Sequence, residues 1–138
     1  IRDDLVTGVQ TCALPISQRR KVVGLTVEWM KENIGRKVSK ERTFNYKVMK
    51  LGDKYTPAYG CYDMEINTMF VFHNFCPTVK SMIKCVLHEY THYLQNLRYY
   101  HHKLEVYGYA KHPDEKQSRL MESLYEWVWE DISPLINS

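Results

Sequence analysis

The chain of 138 residues has no apolar run near the ~20 residues a membrane-spanning helix needs, so no segment reads as a membrane partner. It has no Cys-x-x-Cys pair, which argues against both a zinc ribbon and a disulfide framework. It has no strong charge of either sign. Nineteen Lys and Arg stand against 16 Asp and Glu, and the net +3 is spread along the chain, so no nucleic-acid partner is called for. Repeats, low-complexity tracts and linkers are missing too, and this length suits one domain with its own core. What is abundant is tyrosine, with 11 copies, a residue suited to a cleft that is apolar yet hydrogen-bonding.

The first sixteen residues read as foreign to the domain. Val6 to Ile16, VTGVQTCALPI, resembles the in-frame translation of a common short-read sequencing adapter. Ile1-Arg2-Asp3 matches the adapter segment ahead of the index, and Asp4-Leu5 fills the index. The expectation is an adapter-derived segment at 1–16, a metagenomic origin, and one domain over 17–138. It leaves open a native N-terminus, with any signal peptide, lost upstream. With Cys12 set aside, Cys61, Cys76 and Cys85 remain, an odd number that favours a reducing, cytoplasmic compartment. Cys85 falls within a helical pattern and reads as a buried, inert thiol.

From there the pattern gives an α+β order. Residues 18–34 carry Val22, Val23, Leu25, Val27, Trp29, Met30 and Ile34 among charged positions, an amphipathic helix stopped by Gly35. Residues 44–51 read as a strand, and 58–64 and 67–73 as two more joined by a turn at Glu65-Ile66-Asn67. From Thr78, a candidate N-cap, to Leu97 the apolar residues fall at helical spacing. Residues 99–112 read as irregular. Pro113 opens a last helix running to about Ile132, ended by Ser133-Pro134. Trp127 and Trp129 cannot both face the core of one helix, and Trp127 fits the face of Leu120 and Leu124 better. The architecture expected is a small, mostly antiparallel sheet packed with helices.

The sharpest chemical signal is His88-Glu89-Tyr90-Thr91-His92. On a helix, positions i and i+4 lie one turn apart on the same face, so two imidazoles there can hold one Zn²⁺. Glu89, beside the first of them, is placed to take a proton from a zinc-activated water. Val86-Leu87 and Tyr93-Leu94 make the surroundings apolar, as a helix crossing a core requires. The competing reading is a helix with two exposed histidines and a salt-bridging glutamate.

VLHEYTHYLQ followed by HPDEKQSRLME resembles the minimal gluzincins, the zincin group that includes ImmA/IrrE-type and related phage and bacterial metallopeptidases. The resemblance covers roughly residues 55–130. It implies a zincin-like fold, an edge strand from the 58–73 hairpin that binds extended peptide, His88 and His92 as zinc ligands, and Glu89 as base. It also implies Glu115, on the later helix, as third ligand. Many members carry Asn or Asp four residues after that glutamate to orient a histidine. Here Arg119 stands there and cannot accept an imidazole N–H, so Glu122, one turn on, is the candidate substitute. A metzincin is disfavoured, because Gln95 replaces the expected glycine and Arg98 the third histidine.

Among the remaining candidates, Glu122 rivals Glu115 as ligand, and Asp114 suits a cap or dipole partner. Glu105 lies in the irregular stretch, where a rigid ligand is harder to supply. His101, His102 and His112 read as solvated loop residues. Tyr107 and Tyr109 read as packing residues, with oxyanion stabilisation as the sharper alternative. The function expected is zinc-dependent hydrolysis of a peptide or protein substrate. The alternative is a non-catalytic, zinc-stabilised interaction or regulatory module, against which Glu89 speaks, since a purely structural zinc site has no need of it.

Overall fold

The computed structural model describes residues 14–37 and 43–136, so the adapter-like reading of residues 1–13, Cys12 included, lies outside the described residues. Helix α1 (Ile16–Asn33) is followed by β1 (Asn45–Met49), β2 (Gly60–Asp63) and β3 (Thr68–Phe72). Then come α2 (Val79–Leu94), α3 (Tyr100–Lys111), α4 (Pro113–Met121), a 3₁₀ turn (Glu122–Leu124) and α5 (Tyr125–Ile136). The α+β class holds.

Leu14, Pro15 and Ile16, assigned above to the adapter, take part in this structure. Pro15 is the N-cap of α1 and Ile16 its first residue. The Leu14 amide donates to the Pro77 carbonyl at 3.1 Å, and its side chain packs on the core. Arg19 donates to the carbonyls of Leu14 at 2.6 Å and His73 at 2.9 Å. These three residues, on the adapter side of the expected boundary at Ser17, are thus in contact with the rest of the fold.

The sheet is mixed, not mostly antiparallel. Its order is β1-β3-β2, with β1 parallel to β3 and β2 antiparallel to it. Successive strands do alternate in direction, but the third, not the second, takes the middle, so β3 has one parallel and one antiparallel neighbour. The reason is composition. TMFVF of β3 is buried at four of its five positions, whereas NYKVM of β1 and GCYD of β2 are largely polar and suit edges.

Helix α2 runs through the middle of the core. Its start is fixed by a capping box: the Thr78 hydroxyl accepts from the Ser81 amide and the Ser81 hydroxyl from the Thr78 amide, both at 3.1 Å. Val79, Met82, Ile83, Val86, Leu87 and Tyr90 are buried, as their spacing requires, and so is Cys85. Helix α1 covers one side through Val22, Val23, Val27 and Met30. On another side β2 comes very close. A Cβ on Gly60 would sit 2.3 Å from the Phe70 carbonyl oxygen and 2.7 Å from the Cys85 sulfur, so only glycine allows this approach.

The C-terminal region departs from the expected single helix. Residues 100–111, read as irregular, form α3, with a kink at Gly108, whose φ of 74° a larger residue rarely adopts. The 3₁₀ turn at Glu122–Leu124 then interrupts the last helix. The tryptophan assignment is reversed: Trp129 is 5% exposed and Trp127 68%, because the face on which Trp127 follows Leu120 is itself turned to solvent, Leu120 being 72% exposed, whereas Trp129 lies about three turns after buried Ser118 on the inward face. Nor does Ser133-Pro134 end α5, which continues to Ile136. Burial of Ile132 and Ile136 in the core favours that last turn and offsets the strain of Pro134. Across the molecule, Trp29 Nε1 donates to Asp131 at 2.7 Å and ties α1 to α5.

The revised helical face has a direct check in urea unfolding. Trp129→Ala is expected to cost about 3–5 kcal/mol, the usual range for emptying a large aromatic site. Trp127→Ala should stay within about 0.5 kcal/mol of the parent. The reverse order would overturn the placement of Trp129 in the core.

Candidate metal centre

His88, Glu89 and His92 lie on the face of α2 that looks into an open cleft of about 610 Å³. Their ligand-type atoms all fall within 4.8 Å of one another. Glu115, from the first turn of α4, meets them from the other wall. One of its oxygens is 2.9 Å from His88 Nε2, and His92 Nε2 stands 3.2 Å from the same carboxylate. The two imidazole rings are steeply tilted to one another, with centroids 5.0 Å apart, and their Nε2 atoms converge on Glu115 while their Nδ1 atoms point to different partners.

Each Nδ1 has its own acceptor. His88 Nδ1 faces a Glu122 oxygen at 2.9 Å. His92 Nδ1 faces Gln95 Oε1 at 2.7 Å, with the Ser118 hydroxyl at 3.4 Å. The Gln95 amide cannot be turned round, because its Nε2 donates to the Asp114 carbonyl at 2.9 Å and to Gln117 Oε1 at 2.8 Å. Both rings therefore carry a proton on Nδ1. A neutral imidazole so oriented presents a bare lone pair at Nε2. Here two bare lone pairs would point at a carboxylate, which also offers only lone pairs. Such a donor set is satisfied when both rings take a second proton, or when a cation sits among the three groups. Tetrahedral zinc ligands at 2.0–2.2 Å lie about 3.3 Å apart, close to the separations found. The residues present fit a zinc ion.

Electrostatics follow the same logic. Burial alone lowers the basicity of His88, but its bonds to Glu115 and Glu122 outweigh burial and push its pKa up to about 9. His92 shifts upward against burial for the same reason, chiefly through Glu115. Burial raises Glu115, but the bonds from His88, His92 and Tyr100 overcome it and hold the carboxyl far below the usual range. Glu89 moves the other way. Burial raises its pKa, partly offset by the nearby histidines. Among the described residues its carboxylate makes no hydrogen bond. Cys61, on β2 at the cleft edge, is pushed up to about 11 by burial and then by Glu89 and Asp63, so its thiol stays protonated at neutral pH.

The other residues singled out in the sequence are now located. Glu122 does not reach the Nε2 side; it holds His88 from behind, in the role Arg119 cannot fill. Arg119 instead donates to the Ala110 carbonyl at 2.7 Å and lies over the Tyr109 ring. Asp114 is buried and meets Lys103 Nζ at 3.3 Å. Glu105, His101 and His102 are exposed on α3, so the two histidines are solvated on a helix and not in a loop. His112 is fully buried, not solvated: its Nδ1 accepts from the Asp114 amide at 3.1 Å and its Nε2–H donates to the Tyr100 carbonyl at 3.0 Å. It is thus the side-chain cap of α4. Tyr107 and Tyr109 are about half exposed and do not pack in the core, and Tyr109 lines the cleft.

Three site residues went unread in the sequence. Tyr100 donates a very short hydrogen bond to the second oxygen of Glu115. Gln95 and Ser118 hold His92. Gln95 lies one turn after His92, a spacing at which a side chain can fold back. No comparable signal marks Tyr100.

No family model, no curated protein and no solved structure matches the chain.

Zinc titration separates the two glutamates. Glu115→Ala should remove most of the affinity, since it deletes the group on which both Nε2 atoms converge. Glu122→Ala should weaken binding by about 10- to 100-fold, as for losing a group that orients a ligand. A site emptied by Glu122→Ala and spared by Glu115→Ala would reverse the assignment.

Proposed function

We propose that this chain is a zinc-dependent peptide hydrolase of zincin-like, gluzincin type. His88, His92 and Glu115 hold the metal, and Glu89 is the catalytic base. The observation that carries the reading is the combination at one opening: three groups converging through lone pairs, and beside them a carboxylate with no hydrogen bond of its own. A zinc-stabilised interaction module would account for the first feature. It leaves the second, a half-buried carboxylate that faces the cleft and bonds to no other side chain, without a use.

Bound there, zinc would supply Lewis-acid polarisation of a carbonyl and would acidify a water. The protein's own groups do the rest. Burial raises Glu89 toward the range where a carboxylate takes up a proton readily, and its place beside His88 lets it collect one from the attacking water. The same carboxyl then returns the proton to the departing amine. Glu122 and Gln95 keep both imidazoles turned with Nε2 inward throughout. β2 is an edge strand beside the cleft, and its free side offers backbone groups to an extended substrate. The hydroxyl of Tyr109, on the cleft wall, is a candidate donor to the developing oxyanion. Substrate is therefore peptide or protein, and no nucleic-acid role is proposed. Among the described residues no helix is long and apolar enough to cross a membrane.

Glu89→Gln keeps both imidazoles and Glu115 but removes the proton acceptor. Zinc content should be unchanged while hydrolysis of a peptide library falls by at least about 10²-fold. Full activity in that variant would place the base elsewhere and sink the mechanism.

A further inference from the structure

The cleft does not end at Glu89. Toward the N-terminal half of α2 it continues into a second cavity, of about 590 Å³, that shares His88 and Glu89 with the first. Lys80, Lys84 and His88 follow one another at four-residue spacing, which sets them along one face of the helix. Both lysines line this cavity, as does Arg119 from α4. Their ammonium groups rest over the ring of Tyr125, at 4.9 Å for Lys80 and 5.2 Å for Lys84. Among the described residues neither lysine has a carboxylate within ion-pair distance. The acidic groups on the wall are Glu89, at the reacting centre, and Glu122, already bonded to His88.

Three cations thus line a concave wall whose one distal carboxylate is engaged. The N-terminus of α2 adds a field of the same sign. Positive charge of this kind, backed by an aromatic ring and open to the cleft, favours an anion. At 1.5 Å per residue along the helix, Lys84 lies about 7.5 Å and Lys80 about 13.5 Å from Glu89. An extended peptide advances about 3.3 Å per residue, so the matching group sits about two to four residues from the reacting bond.

We infer that this end of the cleft is a subsite for a peptide carboxylate, either an Asp or Glu side chain or a chain-terminal carboxylate, to one side of the scissile bond. The inference depends on the hydrolase reading for its scissile bond, but the carboxylate preference can be measured by binding alone.

The Glu89→Gln protein is titrated with fluorescein-labelled decapeptide pools that differ only in carrying fixed Glu, Gln or Lys residues, each pool with a free or an amidated C-terminus. The Glu pool is expected to bind about tenfold more tightly than the Lys pool, as two moderately screened ion pairs would give. Adding Lys80→Glu and Lys84→Glu should erase or invert that order, with circular dichroism and zinc content unchanged. Binding of every free-acid pool that weakens on amidation assigns the subsite to the chain terminus, and a Glu-over-Lys preference that persists in the amidated pools assigns it to a side chain. Equal binding of the Glu and Lys pools with no loss on amidation, or a preference that survives the charge reversal, overturns the subsite. Mass spectrometry of products from the Lys80 and Lys84 parent separates the two readings. Cleavage without acidic selection overturns the subsite alone, and acidic binding without any cleavage overturns the hydrolase reading alone.

Discussion

The Glu115 carboxylate is the group on which the site depends. It is 3% exposed, and a buried charge is tolerated only when its lone pairs are met. One oxygen meets the Nε2 atoms of both histidines, and the other takes the Tyr100 hydroxyl. These contacts draw together α2, α3 and α4, which otherwise share little apolar surface in this region; α3 buries no residue of its own. The same carboxylate explains why α4 must start where it does. With Pro113 at its first position and His112 as its cap, Glu115 falls in the first turn and points back at α2.

The histidines are held from two sides, and both holds come largely from one short segment. Glu115, Ser118 and Glu122 follow at intervals of three and four residues, so one face of α4 and the turn after it touches both imidazoles. Gln95 completes the arrangement because α2 stops just before it, leaving its side chain free to fold back onto His92. To hold a metal, a histidine pair on a helix would need ring orientation as well as spacing, and here orientation is supplied by groups that the spacing does not specify.

That distinction governs how much could be read from the sequence. The five residues from His88 to His92, the helix that bears them, its Thr78 cap and the three strands were legible, because each rests on local periodicity or local hydrogen bonding. Glu115 was legible only through resemblance and the Pro113 signal. Helix α3 was not, since a helix with no buried face has no apolar stripe to betray it. The sheet order was missed because alternation reports which face is buried, not which strand is central. Trp129 was missed because apolar Leu120 marks the face turned to solvent, while the inward face of α4 is the polar one of Asp114, Glu115 and Ser118. His112 reads as polar and loop-bound until its two ring nitrogens are seen to have separate partners, a capped amide and a carbonyl.

Arg119 shows how a departure from an expected pattern can be compensated nearby. Its guanidinium has no lone pair to offer an imidazole, so it is turned away, and it braces the end of α3 through the Ala110 carbonyl and the Tyr109 ring. Glu122, three residues on, reaches His88 because it lies seven residues after Glu115, two helical turns on, along the face that meets α2. That face continues past the 3₁₀ turn: Trp129 lies about three turns after Ser118, so it and not Trp127 meets the core, beside Val128, Ile132 and Ile136. One face of the C-terminal segment thus serves two ends. It brings carboxylates to the first histidine, and it packs the last helix over α1 and α2. A residue inserted between Glu115 and Ser118 would turn both Glu122 and Trp129 by about 100°, which ties the orientation of His88 to the packing of a tryptophan.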